Sequence, residues 1–297
     1  MRKLKQIFMI SNKNFRMWKS KPSVFMTFAL GFIIAFLLSD KVVGFASLHG
    51  TYLQCMEAFI WTFGDSVSIM LISLCLLLLF SDLPSMDNDV PFYLVRTSRK
   101  VWILGQILYV IEATFIFVVF VMLSTCLLSS ENAYTGNFWS DTAAILGYSD
   151  IGEEIAVPSF VKVLEFSFPY QASLKILSLT ILYSLFLSSI IFYFNLFKQK
   201  SGMIAGIIFS GFGFFLTPDV ISSIFHLSQY QQKVANILFG WLSPLNQATY
   251  YMHNFGYDSL PRIWQSYLIF SAGSILFFVL SVIKVKRYSF NFSGTEK

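Results

Sequence analysis

The sequence predicts an all-α polytopic membrane protein with six transmembrane helices, and three observations point there. Hydrophobic residues fill 56% of the 297 positions and charged residues 12%, with a mean hydropathy of +0.65, a balance that a water-facing surface of this size does not carry. Six stretches are apolar over roughly the 20 residues needed to cross a hydrocarbon layer about 30 Å thick. They are 23–39, 58–80, 101–128, 176–197, 201–225 and 263–283. Of the 21 lysines and arginines, 16 fall in the segments on one side of these spans, as expected when basic residues stay on the cytoplasmic face. Both termini are then cytoplasmic, and the plasma membrane is the expected location.

Residues 1–22 place Leu4, Ile7, Phe8, Phe15 and Trp18 at helical spacing on one face, with Lys5, Lys13, Arg16 and Lys19 elsewhere. This is the pattern of a basic amphipathic helix lying in the inner interface as an elbow into the first span. A basic tail that only fixes topology fits the same residues, whereas a cleavable signal does not, because the bases are scattered and the following apolar run is too long. The first span gains length if it continues past Asp40 into Val42 and Val43.

Two acids fall within the spans, Asp65 a third of the way into 58–80 and Glu112 near the middle of 101–128. A charge there costs at least about 2.5 kcal/mol and needs a partner or water, yet no basic residue in the spans pairs with either. They are hydrogen-bonded, with Trp61 and Tyr109 one turn away, or they line a cavity or carry protons.

The cytoplasmic segment 81–100 begins as an acidic turn and ends as a short helix. Asp89 suits its cap, Pro91 its first turn, and Arg96, Arg99 and Lys100 its C-terminal end. Phe92, Tyr93 and Val95 have no reason to face water in a short loop. Either they plug into a groove on a cytoplasmic partner, or they lie among lipid headgroups.

The outer segment 129–175 carries Glu131, Asp141, Asp150, Glu153, Glu154 and Glu165. In the fifth span Gly202, Gly206 and Ser210 recur every four residues, a strip that permits close helix contact and fits internal packing better than a dimer seam. Residues 234–252 carry no charge, but crossing there would place Lys284, Lys286 and Arg287 outside, and Pro244 divides the stretch into pieces too short to span. They read as an outer re-entrant hairpin or a pair of short helices before the last span. The tail 284–297 follows it in the cytoplasm. Trp61, Trp241 and Trp264 are expected at the outer boundary, and Trp18 and Trp102 at the inner one.

The chemistry that is missing narrows the function. Cys55, Cys75 and Cys126 make no disulfide framework, and His49, His226 and His253 lack metal-ligand spacing. Neither a nucleophile triad nor a phosphate-cradling glycine loop can be assembled, so the chain is expected to be no enzyme and to hold no ATP itself. The net charge of +5 is a topology signal and not a nucleic-acid footprint.

The basic amphipathic elbow, six spans, a first cytoplasmic loop ending in Arg-Thr-Ser-Arg-Lys-Val-Trp at 96–102 and a broken apolar stretch before the last span together resemble the membrane subunit of a type-2 ABC transporter. The resemblance covers essentially the whole chain. It implies a permease, usually an exporter, that pairs with a second permease subunit and rests on separate ATPase subunits holding ATP and Mg. It makes 81–100 the coupling helix, with Phe92, Tyr93, Arg96, Arg99 and Lys100 as its contacts, and 234–252 the outer re-entrant element. The long 129–175 segment departs from the pattern and leaves the substrate open. An aromatic content of 18% suits an amphipathic or hydrophobic cargo such as a drug, lipid or peptide.

A proton-coupled secondary transporter using Glu112 or Asp65 is the alternative, though the two halves show no matching repeat. Gly152, Glu153 and Glu154 faintly resemble the paired glutamates of intramembrane CAAX-type proteases, but they fall in an acidic outer loop without the accompanying arginine and histidines.

Overall fold

The computed structural model describes residues 2–84, 97–155, 157, 160–198 and 200–287. Helix α1 (Arg2–Arg16) runs through a 3-10 turn at Met17–Ser20 to α2 (Pro22–His49). Pro22 occupies the first turn of α2, where its missing N–H costs nothing, and Gly50 ends the helix with the left-handed φ of 62°. The first helix thus runs ten residues past the end of the apolar run 23–39, because neither Asp40 nor Lys41 interrupts it. A two-residue strand β1 (Leu53–Gln54) leads into α3 (Glu57–Phe63) and α4 (Ser66–Phe80).

The second apolar stretch is not one rod. Its two helices meet at 84°, because Gly64 ends α3 and the Asp65 carboxylate accepts from the Val67 N–H to start α4. Helix α5 (Arg99–Leu128) opens on the Ser98 cap and includes Arg99 and Lys100 in its first turn. Between α5 and the next long helix lie β2 (Ala133–Tyr134), α6 (Asp141–Tyr148), α7 (Ile151–Glu154) and α8 (Val161–Phe166). Strand β2 pairs in parallel with β1, Leu53 opposite Ala133.

Helix α9 (Pro169–Asn195) starts seven residues before the apolar run at 176, with Pro169 in its first turn. Helices α10 (Ser201–Phe215) and α11 (Pro218–Ile224) replace the straight fifth span and meet at 90°. Here Thr217 caps α11 and Pro218 forbids continuation of α10. The uncharged stretch 234–252 is broken at Ser243 into α12 (Gln232–Leu242) and α13 (Pro244–Ala248), followed by a 3-10 turn at Tyr250–Met252. Helix α14 (Ile263–Lys284) completes the bundle.

Four helices, α2, α5, α9 and α14, are long and apolar enough to cross a membrane, or six spans if each bent pair counts as one. Helix α9 is the axis of the bundle, touching α4, α5, α10 and α14. Its Tyr183, Leu187, Ile191 and Phe192 are buried, and Ser184, Ser188 and Ser189 keep its flanks narrow enough for neighbours on several sides. Elsewhere the apolar side chains face outward: Phe25, Phe36 and Leu37 on α2, Ile208 and Phe215 on α10, Leu268 and Ile275 on α14. An apolar belt of this extent is the surface of a protein whose solvent is lipid.

Two tryptophans depart from the boundary role expected of them. Trp61 and Trp102 are 1% and 2% exposed, because α3 lies under the 129–168 cap, where Trp61 stacks on Trp139 at 5.5 Å, and because the face of α5 that carries Trp102 turns inward.

Candidate functional site

The two ends of the bundle differ in construction. At the end holding α1 and the close of α14, polar side chains lock the helices on either side of the 81–100 segment. Asn195 at the last turn of α9 donates to the carbonyls of Phe80 and Ser81, both at 3.3 Å, and accepts from the Gly202 N–H at 2.8 Å. One buried carboxamide therefore joins the ends of α4 and α9 to the start of α10. On the other side of the segment, Arg99 Nη1 donates to the Lys286 carbonyl at 3.0 Å, while Lys100 is exposed. Phe92, Tyr93 and Arg96 lie outside the described residues, as does the short helix expected around them.

Helix α1 docks on the first half of α5. Its contact side is Ile10, Ser11 and Asn14, all buried, and a Cβ on Gly105 would lie 2.6 Å from that of Ile10, so the absent side chain sets the approach. Asn14 Nδ2 donates to Gln106 Oε1 at 3.0 Å, Trp18 Nε1 to the Tyr109 hydroxyl at 2.8 Å, and Ser11 Oγ to Glu112 Oε2 at 2.5 Å. The expected apolar face is divided: Leu4 and Phe8 are exposed, while Ile7, Phe15 and Trp18 pack against the core.

Glu112 thus finds its partner on α1, not in Tyr109, which serves Trp18. Helical side chains lean toward the N-terminus of their helix, so this carboxylate sits closer to the α1 level than its position in the sequence suggests. It lies in an open groove of about 530 Å³ with Phe8, Ser11, Phe15, Phe115 and Ile116.

Asp65 is a helix cap. Its Oδ2 accepts from the Val67 N–H at 3.1 Å, and the Tyr251 hydroxyl lies beside its carboxylate. It also shares a cavity with Lys41 of α2. The continuation of α2 beyond residue 39 is what carries Lys41 to the bend between α3 and α4.

The opposite end is a structured cap held by an acid that the sequence reading passed over. Glu57 is fully buried and accepts from the Gln54 N–H at 3.2 Å, the Ser140 N–H at 2.8 Å and the Ser140 hydroxyl at 2.5 Å. It fastens α6 to the start of α3 beside the β1–β2 pair. Further along, Lys162 bridges to Asp258 at 2.6 Å and lies over the rings of Phe255 and Tyr257. Lys175 donates to the Tyr250 hydroxyl at 3.4 Å. The 129–168 cap and the segment before α14 are thereby joined. His253 is buried there, its Nδ1 donating to the Thr249 carbonyl at 2.9 Å and its Nε2 accepting from Ser266 Oγ at 3.0 Å. Burial pushes its pKa down from 6.5 to about 4, so it is neutral at pH 7.

The strip Gly202, Gly206 and Ser210 is buried against α4 and α9. A Cβ on Gly202 would meet the Ile191 carbonyl oxygen at 2.0 Å, and one on Gly206 would meet Leu77 at 2.4 Å. Ser243 Oγ continues the contact, donating to the Gly213 carbonyl at 2.9 Å.

No family model, curated protein or solved structure matches the chain.

Proposed function

We propose that this chain is the permease subunit of an ATP-binding cassette transporter of the type-2 exporter form. In this reading it crosses the plasma membrane six times, counting each bent pair as one span, with both termini and 81–100 in the cytoplasm and α1 as the elbow. It pairs with a second permease subunit, the same or homologous, and its ATP and Mg sit on a separate ATPase subunit. The cargo is amphipathic or hydrophobic.

The observation that carries the proposal is the pair of ties flanking 85–96. A motor that pushes on a short cytoplasmic segment does useful work only if the ends of that segment are rigidly joined to the helices that move. Asn195 joins one end to α4, α9 and α10, and Arg99, with α1 clamped on α5, joins the other. Phe92, Tyr93, Arg96, Arg99 and Lys100 are then the contacts to the ATPase.

The proton-coupled alternative draws less support. Glu112 has a structural partner in Ser11 and Asp65 a structural task as a cap, so neither acid requires a transport role to account for its place.

The test is to replace Phe92 and Tyr93 by Ala, and separately Arg96 by Glu, and to follow export of cargo from cells. Export is expected to fall at least tenfold while the amount of chain in the membrane stays constant. Normal export by these variants would remove the coupling role.

A further inference from the structure

A cavity of about 410 Å³ lies where the α10–α11 bend meets the break between α12 and α13, with Ser66, Phe215, Thr217, Val220, Phe239 and Asn246 in its lining. Its wall is fixed by Ser243, whose Oγ donates to the Gly213 carbonyl at 2.9 Å and accepts from the Asn246 backbone N–H at 3.4 Å. Close approach secures the same contact, since a Cβ on Gly213 would lie 2.9 Å from the Leu245 side chain. Helix α13 thereby holds Asn246 at the cavity. This residue is 4% exposed, and its Nδ2 has no acceptor, an uncommon state for a buried amide in a folded chain.

None of the described residues that line the cavity carries a charge. The hydroxyls of Ser66 and Thr217 add groups that can both donate and accept, and most of the remaining wall is apolar. Helix α10 has 15 residues, about 22 Å at 1.5 Å per residue, whereas a hydrocarbon layer is about 30 Å thick. In the six-span reading, on which this inference rests, the bend therefore lies within the layer and short of the outer headgroups. Phe214, Phe215 and Val220 beside it are exposed, so the cavity adjoins the apolar belt.

We propose that this cavity holds a neutral ester lipid of the diacylglycerol type. An ester carbonyl accepts from Asn246 Nδ2, the free hydroxyl lies among Ser66 and Thr217, and the acyl chains leave over Phe215 and Val220. A phosphate in that place would be buried without a counter-charge, which is costly, and a plain hydrocarbon would leave the amide without an acceptor. The site needs a membrane around the chain and no ATPase partner.

The experiment uses the full chain in nanodiscs of ether-linked phosphatidylcholine, which offers no ester carbonyl. These are doped, in separate series, with diacylglycerol, its dialkyl ether analogue and diester phosphatidylglycerol. The lipid retained on release is read by native mass spectrometry. Wild type is expected to retain diacylglycerol about tenfold over the other two, the size of one hydrogen bond to a buried group. Asn246→Leu keeps the volume and removes the carboxamide, and Val220→Trp fills the mouth from the exposed side. Each is expected to bring retention of diacylglycerol down to that of the ether analogue.

If Asn246→Leu does not purify as a monodisperse chain, Val220→Trp and the ester-to-ether comparison decide. Equal retention of ester and ether, the result if only water meets Asn246, overturns the proposal. So does phosphatidylglycerol retained as well as diacylglycerol, or retention left unchanged by either variant.

Discussion

A buried carboxylate is stable only where donors converge on it, and Glu57 is such a place. Replacing it by Leu leaves the N–H groups of Gln54 and Ser140 without acceptors in a closed site. The expected loss is about 2–4 kcal/mol, read as a lower unfolding temperature of the purified chain, whereas Glu57→Gln keeps an acceptor oxygen and recovers part of it. His253 gives a pH dependence of definite sign. Its folded-state pKa is about 4 against an ordinary 6.5, so below pH 6.5 the unfolded chain binds a proton that the folded chain refuses. The stability it confers is therefore fully present above pH 6.5 and declines as the pH falls toward 4, by up to the order of 3 kcal/mol. Unfolding followed between pH 7 and 4.5 should show this decline, and His253→Phe should flatten it. Neither residue was legible beforehand. Glu57 precedes its apolar run by a single position, and the partners of both are fixed by tertiary approach, which leaves no local pattern.

At the scale of elements, the apolar stretches and their order could be read from composition, but the bends could not. The signals were present: Gly64 followed by Asp65, and Thr217 followed by Pro218, are a stop and a start side by side. An average over some 20 residues submerges them, because the flanks are uniformly apolar. Pro244 stood out only because crossing there contradicted the charge count. The pairing of α1 with α5 joins Ser11 to Glu112 across a hundred positions and had no sequence signature beyond the amphipathic spacing of α1. The glycine strip was readable as a contact, and the structure identifies its neighbours as α4 and α9. Ala at Gly202 drives a Cβ to 2.0 Å from the Ile191 carbonyl and 2.7 Å from Asn195 Oδ1. Separation of α9 from α10 should cost at least about 1–3 kcal/mol and reduce the yield of folded chain. Ala at Gly211, whose nearest neighbour is the Phe215 ring at 3.9 Å, should be neutral or stabilising by up to about 1 kcal/mol.

The whole molecule has two differently built ends. One is a cap in which Glu57, Lys162, Asp258 and Lys175 are bonded within the chain, suited to holding a shape. At the other, Asn195 joins the ends of α4 and α9 to the start of α10, and Arg99 joins the start of α5 to the turn after α14. Between them the apolar belt contains broken helices, where irregular backbone is covered by neighbouring protein. Broken spans and small-residue contacts are the features on which the proposed permease would move its helices as units.

The most direct measurement is gentle purification of a tagged chain from its native membrane, with mass spectrometry of the proteins that accompany it and an ATPase assay. The account predicts a stoichiometric ATP-binding subunit with ATPase activity, lost when Phe92 and Arg96 are replaced. A chain that purifies without such a subunit, and whose cargo flux stops when the proton gradient is dissipated with ATP maintained, would contradict it.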